Sequence, residues 1–200
     1  MVDWKIQNAV FVLKFDKIFN LDIIAKELLK YDNLFISYEP ENFPGIIIKI
    51  ENDKEKYGIT LFRSGLANIY GIKDNINKIY DIIDLLKKLL NKCGIDVPNP
   101  NYVELKNVVI SGKFDYNDID IKKIFNDFDD AKYDPTAFPA VTVYYNVSDG
   151  YKIAFNIFKN GSFICTGIRS DMNNINQHIN KIVNSFQENI LKKYAKALNL

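Results

Sequence analysis

Several short segments in the first half of the chain recur, in the same order, in the second half. Each recurrence falls 95 to 99 residues after the first occurrence. Ordered landmarks at a nearly constant shift indicate an internal duplication. The sequence therefore predicts a fold built from two similar halves. The paired segments are Gln7–Val10 with Lys106–Val109, Tyr38–Gly45 with Tyr133–Ala140, Leu61–Gly65 with Ile157–Gly161, and Tyr70–Gly71 with Thr166–Gly167.

The two repeats meet in a segment that contains two prolines. We expect a first repeat over residues 1–97, a joint over 98–101, and a second repeat with a C-terminal helix extension over 102–200. Pro98 and Pro100 in the joint end the preceding helix and redirect the chain. We expect the two halves to share one continuous sheet rather than to form two separate domains.

Hydrophobic periodicity predicts the same order of elements in each repeat: strand, helix, strands, long helix. Asn20 and Asp74 are predicted helix N-caps. The predicted strands are 4–14, 46–50, 57–63, 66–72, 102–114, 141–147, 151–158 and 162–168, and the predicted helices lie near 21–31, 74–91, 118–129 and 171–196. The helical side chains predicted to face the core are Leu21, Ile24, Ala25, Leu28 and Leu29; Ile76, Ile79, Tyr80, Ile83, Leu86 and Leu90; Ile121, Ile124, Phe125 and Phe128; and Ile175, Ile179, Ile182, Val183, Phe186 and Ile190.

The first predicted strand is apolar on both faces. Val10 and Val12 point to one side, while Ala9, Phe11 and Leu13 point to the other. A sheet that is half solvated alternates apolar with polar residues. This strand is therefore expected to meet something apolar on each face.

Composition and charge limit the classes of function. A hydrophobic content of 48% is sufficient for a well-filled core. The formal net charge of +1 provides no general electrostatic attraction for nucleic acid, so such a partner would be engaged by a local arrangement of charges. No apolar run reaches the roughly 18 residues of a membrane span, and the N-terminus lacks the apolar segment of a signal peptide. We expect an intracellular protein with no membrane partner.

No motif for catalysis or metal binding is found in the sequence. Cys93 and Cys165 have neither CxxC spacing nor histidine companions, so we expect no zinc site, no disulfide and a reducing compartment. A glycine-rich phosphate loop and a nucleophile motif are also missing from the sequence. We therefore expect no enzymatic activity, no metal and no cofactor.

The recurring segments resemble the TATA-box-binding protein family, its archaeal members more than its eukaryotic ones. The resemblance is carried by Glu39–Gly45, Leu61–Gly65 and Ile164–Gly167 and extends over nearly the whole chain. It implies an α+β saddle in which two pseudo-symmetric repeats form one curved, ten-stranded antiparallel sheet with four helices on the convex face. It also implies a general transcription factor that binds and bends AT-rich promoter DNA in the minor groove.

Carried over residue by residue, the resemblance implies a concave DNA-binding face. Two pairs of phenylalanines would wedge between base steps, and two asparagines would hydrogen-bond to the minor-groove acceptors of A·T pairs. Two valines would supply apolar contact, a lysine a phosphate contact, and a threonine a further side chain on the second groove-facing strand. The expected DNA-binding residues are Asn8, Val10, Phe43, Lys49, Phe62, Asn107, Val109, Phe138, Phe158 and Thr166.

The chemistry of these residue types agrees with the implied roles. A wedge must be flat, apolar and rigid, and an asparagine amide can donate to A N3 or T O2. Taken alone, phenylalanines at strand ends would be read as core residues, and asparagines in strands as solvated ones. Their symmetric occurrence in both repeats favours the groove-facing roles.

Several positions on the implied DNA face depart from the family's pattern. Tyr70 stands where the family has threonine, Asn68 where it has valine, and Tyr144 where it has arginine. The lysines usually found after the two tight turns are replaced by Leu66 and Ser162. Because lost phosphate contacts weaken binding, a second function stays open: a divergent paralogue whose concave face binds a protein partner and regulates transcription with weak or no DNA binding.

The expected main partner is AT-rich double-stranded DNA. The family also meets transcription factor B, through a glutamate that the second-repeat loop Asp134–Ala137 lacks, although the first repeat carries Glu39 and Glu41. A homodimer formed through the concave face is a further alternative. The resemblance implies a cytoplasmic location for an archaeal chain and a nuclear one for a eukaryotic chain.

Overall fold

The computed structural model describes residues 2–51, 56–147 and 150–195. Within these ranges the chain forms ten β-strands, four α-helices and one short 3₁₀-helix. The strands are β1 (Asp3–Lys14), β2 (Leu34–Ser37), β3 (Gly45–Glu51), β4 (Lys56–Phe62), β5 (Leu66–Ile72), β6 (Tyr102–Lys113), β7 (Lys132–Asp134), β8 (Phe138–Asn146), β9 (Lys152–Phe158) and β10 (Ser162–Ile168). The helices are α1 (Leu21–Leu28), α2 (Lys78–Lys92), α3 (Ile121–Asp127) and α4 (Ile175–Asn189), and the 3₁₀-helix is Leu191–Lys193.

The strands form one sheet in the order β2-β3-β4-β5-β1-β6-β10-β9-β8-β7. The pairs for which a register is resolved are antiparallel. The first five strands of this order come from the first repeat, and the last five repeat them in reverse. The predicted ten-stranded antiparallel sheet with four helices is confirmed.

The chain divides into two compact units. The first unit spans Asn8–Lys106, and the second unit combines the residues before Asn8 with those from Asn107 onward. Strands β1 and β6 each contribute residues to both units. The predicted joint at 98–101 stays a prediction, and residues 196–200 of the predicted C-terminal extension lie outside the described residues.

Alternate side chains of each strand form the core of each unit. Helix α1 contacts β3, α2 contacts β5, and α3 contacts β8. The core of the second unit contains a cluster of stacked phenylalanines: Phe155 stacks on Phe186 of α4 with ring centroids 4.0 Å apart, and Phe114 stacks on Phe163 at 4.3 Å. The core of the first unit is mainly aliphatic, with fully buried Leu13, Ile46, Ile48, Ile59, Leu61 and Ile69.

Two short strands, β2 and β7, are not predicted by the sequence pattern. They contain four and three residues and lie at the two edges of the sheet. A strand of this length is too short to show a hydrophobic period. Pairing with the neighbouring strands β3 and β8 defines them instead.

The two predicted N-caps have different outcomes. Asn20 does cap α1, because its side chain accepts from the backbone N–H of Ile23 at 3.2 Å. Asp74 does not cap α2: it adopts a φ of +60°, and the helix begins four residues later at Lys78. The prediction of Asp74 as a cap is therefore wrong.

The two helices of the second repeat also begin later than predicted. Helix α3 begins at Ile121 rather than near 118, because the Asp120 side chain accepts from the backbone N–H of Lys123 at 3.0 Å and caps the helix there. Helix α4 begins at Ile175 rather than near 171. The Asp171 carboxylate accepts hydrogen bonds from the backbone N–H groups of Asn173 and Asn174 and holds a turn before the helix.

Three side chains predicted to be buried are exposed. Leu29 is 66% exposed because α1 ends at Leu28, and Tyr80 is 56% exposed because α2 presents Ile82 and Leu89 to the core instead. Phe125 is 41% exposed and lies against the ring of Tyr133, with centroids 6.1 Å apart. These three predictions are wrong.

The turn between β4 and β5 generates a stability prediction. Gly65 has a φ of +91°, and a Cβ there would lie 2.4 Å from the carbonyl oxygen of Phe15. We expect Gly65→Ala to lower the free energy of unfolding by about 3 kcal/mol, from backbone strain plus overpacking. Gly94 in the same unit has a φ of +74° but no atom within 4 Å of a Cβ, so Gly94→Ala should cost only about 1 kcal/mol. Urea denaturation followed by circular dichroism measures both, and equal losses would contradict the steric argument.

Candidate nucleic-acid interface

Each unit has a second sheet face opposite to the one that packs on its helices. Strand pairing defines the side chains that share this face, and most of them are only partly buried. We name these sets the first and the second open face. The first open face contains Asn8, Val10, Val12, Lys14, Gly45, Ile47, Lys49, Gly58, Thr60, Phe62, Leu66, Asn68 and Tyr70. The second contains Asn107, Val109, Ser111, Lys113, Ala140, Thr142, Tyr144, Ala154, Asn156, Phe158, Ser162, Ile164 and Thr166.

One pair of phenylalanine rings stands at the end of each open face. Phe43 contacts Phe62 edge to face, with centroids 5.8 Å apart and an interplanar angle of 63°. Phe138 contacts Phe158 in the same way, at 5.5 Å and 72°. Phe43 is 40% exposed and Phe138 is 42% exposed, while their partners are half-buried. The structure thus brings together the four phenylalanines selected from the sequence, in two pairs with one partly solvated ring each.

Short loops hold the exposed ring of each pair. In the first unit the backbone N–H groups of Asn42 and Phe43 both donate to the carbonyl oxygen of Glu39 at 2.9 Å. In the second unit the backbone N–H and the hydroxyl of Thr136 donate to the Asp134 carboxylate, at 3.0 and 2.6 Å. These bonds from Thr136 hold the pKa of Asp134 below its usual value. In each loop the residue four positions before the exposed phenylalanine, Glu39 or Asp134, therefore accepts the hydrogen bonds that close the turn.

The asparagines of the two repeats make equivalent hydrogen bonds. The backbone N–H of Gly71 donates to Oδ1 of Asn8 at 2.8 Å, and that of Gly167 donates to Oδ1 of Asn107 at 3.0 Å. Both glycines lie where the strand register shifts, between β1 and β5 and between β6 and β10. Because Oδ1 faces the donating N–H, the Nδ2 group of each side chain is not used in this hydrogen bond. Neither Nδ2 has a hydrogen-bond partner among the described residues.

The tyrosine that replaces a small residue on the first open face lies flat against the sheet. A Cβ built on Gly58 would be 2.0 Å from Cε2 of Tyr70 and 2.6 Å from its hydroxyl oxygen. The ring thus occupies the space that a side chain at position 58 would fill. On the second open face the equivalent pair is Thr166 beside Ala154. The bulk of Tyr70 is accommodated by the missing side chain of its neighbour.

Comparison with known proteins identifies the family. The family described as "Transcription factor TFIID (or TATA-binding protein, TBP)" matches residues 3–93 and 102–189 of this chain. The chain belongs to the TATA-binding protein family.

Individual relatives agree with this assignment. The TATA-box-binding protein of Pyrobaculum calidifontis is 27% identical over 185 residues, covering 92% of this chain and 86% of the relative. The TATA-box-binding protein of Picrophilus torridus is 30% identical over 156 residues, covering 76% of this chain and 79% of the relative. The solved structure of the Methanococcus jannaschii TBP superimposes with a TM-score of 0.71 at 27% identity, covering 93% of this chain and 99% of that one.

Three lysines that the sequence analysis did not select lie on or beside the open faces of this TBP family member. Lys14 lies directly opposite Leu66, and Lys113 lies opposite Ser162. A neighbouring strand thus supplies a cation beside each position where the expected lysine is absent. The signal was present in the sequence, since Lys14 and Lys113 each follow the paired asparagine by six residues.

The third lysine, Lys132, could not be found from the sequence because β7 is too short to predict. Its ammonium lies 5.7 Å from the ring centroid of Tyr144. On the first open face Lys49 lies similarly, 4.8 Å from the ring centroid of Phe35. Each unit therefore carries an exposed lysine over an aromatic ring near the outer edge of its strands.

The described residues of this TBP family member show no metal site, no reactive cysteine at position 165 and no membrane-spanning helix. Among the described residues no group of three His, Cys, Asp or Glu side chains could hold a metal ion. Burial raises the pKa of the Cys165 thiol far above its usual value, so this cysteine is not a nucleophile near neutral pH. In the same part of the chain, no helix combines the length and the hydropathy needed to cross a bilayer.

The asparagine bonds lead to a second prediction. Asn8→Ala or Asn107→Ala removes the acceptor for a backbone N–H in the strand bulge, so each should lower the free energy of unfolding by about 1 kcal/mol. Asn68 lies on the same sheet face and has no hydrogen-bond partner among the described residues, so Asn68→Ala should change stability by less than about 0.5 kcal/mol. Urea titrations of the three variants test this. If all three are equally stable, the asparagines do not hold the bulges.

Proposed function

We propose that this chain is a TATA-box-binding-protein-like general transcription factor that binds and bends AT-rich promoter DNA in the minor groove. Each open face would cover one half of the site. The observation that carries the proposal is the pair of edge-to-face phenylalanines at the end of each open face, with one partly exposed ring in each pair. Membership of the TATA-binding protein family supports the same function.

The phenylalanine pairs have the properties that a wedge requires. Their exposed rings leave apolar surface in water that a base step would cover. The half-buried ring of Phe62 or Phe158 supports the exposed ring from the side, so entering a duplex would order few additional side-chain rotations. We propose that Phe43 with Phe62 opens one base step and Phe138 with Phe158 another, which would kink the duplex at both ends of the site.

The paired asparagines would read the groove between the wedges. The minor groove of an A·T pair presents only acceptors, adenine N3 and thymine O2. The glycine N–H groups occupy Oδ1 of Asn8 and of Asn107 and leave each Nδ2 group as a donor that could face the groove. Val10 and Val109 stand two residues further along the same strands and would give apolar contact, as would the methyl group of Thr166 on the neighbouring strand.

Local cations would bind the phosphates. With a net charge of only +1, the chain relies on lysines placed beside the open faces rather than on a general positive field. Lys49 and Lys132 lie near the outer strands, and Lys14 and Lys113 lie beside the two tight turns. We propose that Lys49 keeps the phosphate contact implied by the resemblance and that Lys14, Lys113 and Lys132 take over contacts for which the family uses other positions.

A second candidate function is favoured by the polar side chains at the centre of the first open face. Asn68 and Tyr70 have no hydrogen-bond partners among the described residues, and a protein partner could satisfy them. In this alternative the chain is a divergent paralogue that regulates transcription with weak or no DNA binding. The flat position of Tyr70 over Gly58 favours DNA, because the ring adds little height to the surface.

Membership of the family also supports proposals for further partners and for the location. Transcription factor B is a proposed partner, and Glu41 on the exposed first-unit loop is the carboxylate that we propose for it, because Asp134 on the second-unit loop already accepts from Thr136. A homodimer through the open faces is the alternative in the absence of DNA. We propose a cytoplasmic location, the joint at 98–101, and no enzymatic activity.

The wedge proposal predicts a selective loss of binding. Phe43→Ala and Phe138→Ala should each weaken binding to a TATA-containing duplex by roughly tenfold or more, because a base step loses its apolar cover. Phe125 is a matched control: it is 41% exposed and also contacts an aromatic ring, but it lies on helix α3. Fluorescence anisotropy titrations give the dissociation constants, with a GC-rich duplex as the reference. Wild-type affinity in Phe43→Ala and Phe138→Ala would contradict the wedge mechanism.

The phosphate contacts predict a change in salt dependence. Lys49→Ala and Lys132→Ala should each reduce the slope of log K against log salt by about 0.9, the contribution of one phosphate contact. Lys88, an exposed lysine on helix α2, is the control, and its substitution should leave the slope unchanged. Titrations at several salt concentrations measure the slopes. If the Lys49→Ala and Lys132→Ala variants have the same slope as the control variant at Lys88, neither Lys49 nor Lys132 contacts a phosphate.

A further inference from the structure

The centres of the two open faces differ in their free hydrogen-bonding groups. In the first unit one row of directly opposed residues runs Ile47, Thr60, Asn68 and Val12 across four strands. The equivalent row in the second unit runs Thr142, Asn156, Ile164 and Ser111. The duplication makes these rows direct counterparts. They can therefore be compared position by position.

Two hydrogen-bond acceptors of the second row already have partners. The hydroxyl of Thr142 donates to Oδ1 of Asn156 at 2.7 Å, and the hydroxyl oxygen of Ser111 accepts from Nε2 of Gln7 at 2.6 Å. Ile164 stands between Asn156 and Ser111 and offers only methyl and methylene groups. In the middle of the second open face, Oδ1 of Asn156 and the hydroxyl of Ser111 are therefore already engaged, and Nδ2 of Asn156, which has no partner among the described residues, is a donor rather than an acceptor.

The first row carries an amide without a partner. Asn68 is half-buried, and its side chain makes no hydrogen bond to any described residue. Two residues further along β5, the hydroxyl of Tyr70 lies over Gly58 and likewise has no partner in the described part of the chain. Both groups can accept a hydrogen bond. The first open face thus presents two free acceptors, whereas the second presents Ile164, which has none, and Thr166, whose hydroxyl is the one acceptor at these two positions.

A minor-groove partner for such acceptors is the guanine amino group. A·T pairs offer only acceptors in the minor groove, whereas a G·C pair adds the donor N2 of guanine. An amino group buried against Ile164 would lose its water without gaining a partner, which is costly. An amino group facing Asn68 and Tyr70 would be satisfied.

We propose that the first open face accepts a G·C pair in its half of the DNA site and that the second open face requires A·T. The inference rests on the proposed function, since it assigns base preference to the same interface. Asn68 and Tyr70 are then specificity-determining residues. These two residues would make the DNA site asymmetric, because a G·C pair in one half would set the direction in which the chain lies on the DNA.

A symmetric duplex makes this directly measurable. The reference is a short duplex with a self-complementary alternating T·A element, on which the chain can bind in either direction. One series replaces a single A·T pair in one half by G·C, at each position in turn. A second series places G·C at the two symmetry-related positions together. In a third series inosine replaces guanine, which removes N2 and nothing else from the minor groove.

The expected affinities depart from simple additivity. At the responsive position a single G·C should cost only about twofold, because the chain turns so that its first open face covers that pair and one of two directions is lost. G·C in both halves should cost about tenfold or more, since the second open face must then meet a guanine. Inosine in both halves should restore the affinity of the reference duplex.

Variants assign the effect to the named side chains. Asn68→Ile with Tyr70→Phe removes both free acceptors from the first open face, so a single G·C should then cost about tenfold, relative to that variant's own affinity for the reference duplex. The reverse change, Ile164→Asn, should reduce the cost of the double G·C duplex. Circular dichroism spectra confirm that each variant is folded.

The outcomes separate this inference from the function on which it rests. No binding of the wild-type chain to the all-A·T duplex would overturn both. The chain could instead bind the all-A·T duplex but lose affinity by the same factor for each G·C pair. The loss for two pairs would then be the product of two equal single losses, and only the asymmetry would be overturned. A single-substitution cost that is unchanged in the Asn68→Ile/Tyr70→Phe variant would show that these two side chains do not read the base.

Discussion

The alternation of side chains along a β-strand is the constraint on which the rest of this structure depends. The strands that bury Ile46, Phe11 and Phe155 in the core must present the intervening residues to the opposite face. In this chain many of those residues are apolar as well, including Val10 and Ile164. The sheet therefore has a second apolar face with much of its surface in solvent. Surfaces of this kind on a folded protein mark a binding site.

The duplicated units have preserved some interactions and changed others. Their cores differ, since the second contains a cluster of stacked phenylalanines, whereas the first is mainly aliphatic around Phe11, Phe15 and Phe19. The hydrogen bonds from glycine N–H to Asn8 and Asn107 and the two edge-to-face phenylalanine pairs are nevertheless the same in both units. A core requires only the right volume in apolar atoms, so its composition can drift. A wedge and an oriented amide depend on particular atoms, so they tolerate no such change.

The sequence determines most of the fold because its signals are local and repeated. The hairpin over β4 and β5 and the long helices can be read from spacing and from the duplication, and the four phenylalanines from the resemblance to the TATA-box-binding protein family. The edge strands β2 and β7 cannot, because three or four residues carry no period and only pairing defines them. The position of Lys132 cannot be predicted either, because Lys132 lies on β7. The flat packing of Tyr70 over Gly58 is also invisible in the sequence, because it joins residues on different strands.

The central claim is that the phenylalanine pairs enter the DNA duplex at two separate base steps. It is tested most directly by placing 2-aminopurine, whose fluorescence rises when it unstacks, at successive positions of an AT-rich duplex and adding the protein. The account predicts an increase at two steps, one for each repeat, with Phe43→Ala abolishing one increase and Phe138→Ala the other. Tight binding without an increase at any position would contradict it, because the open faces would then hold the DNA without the wedges.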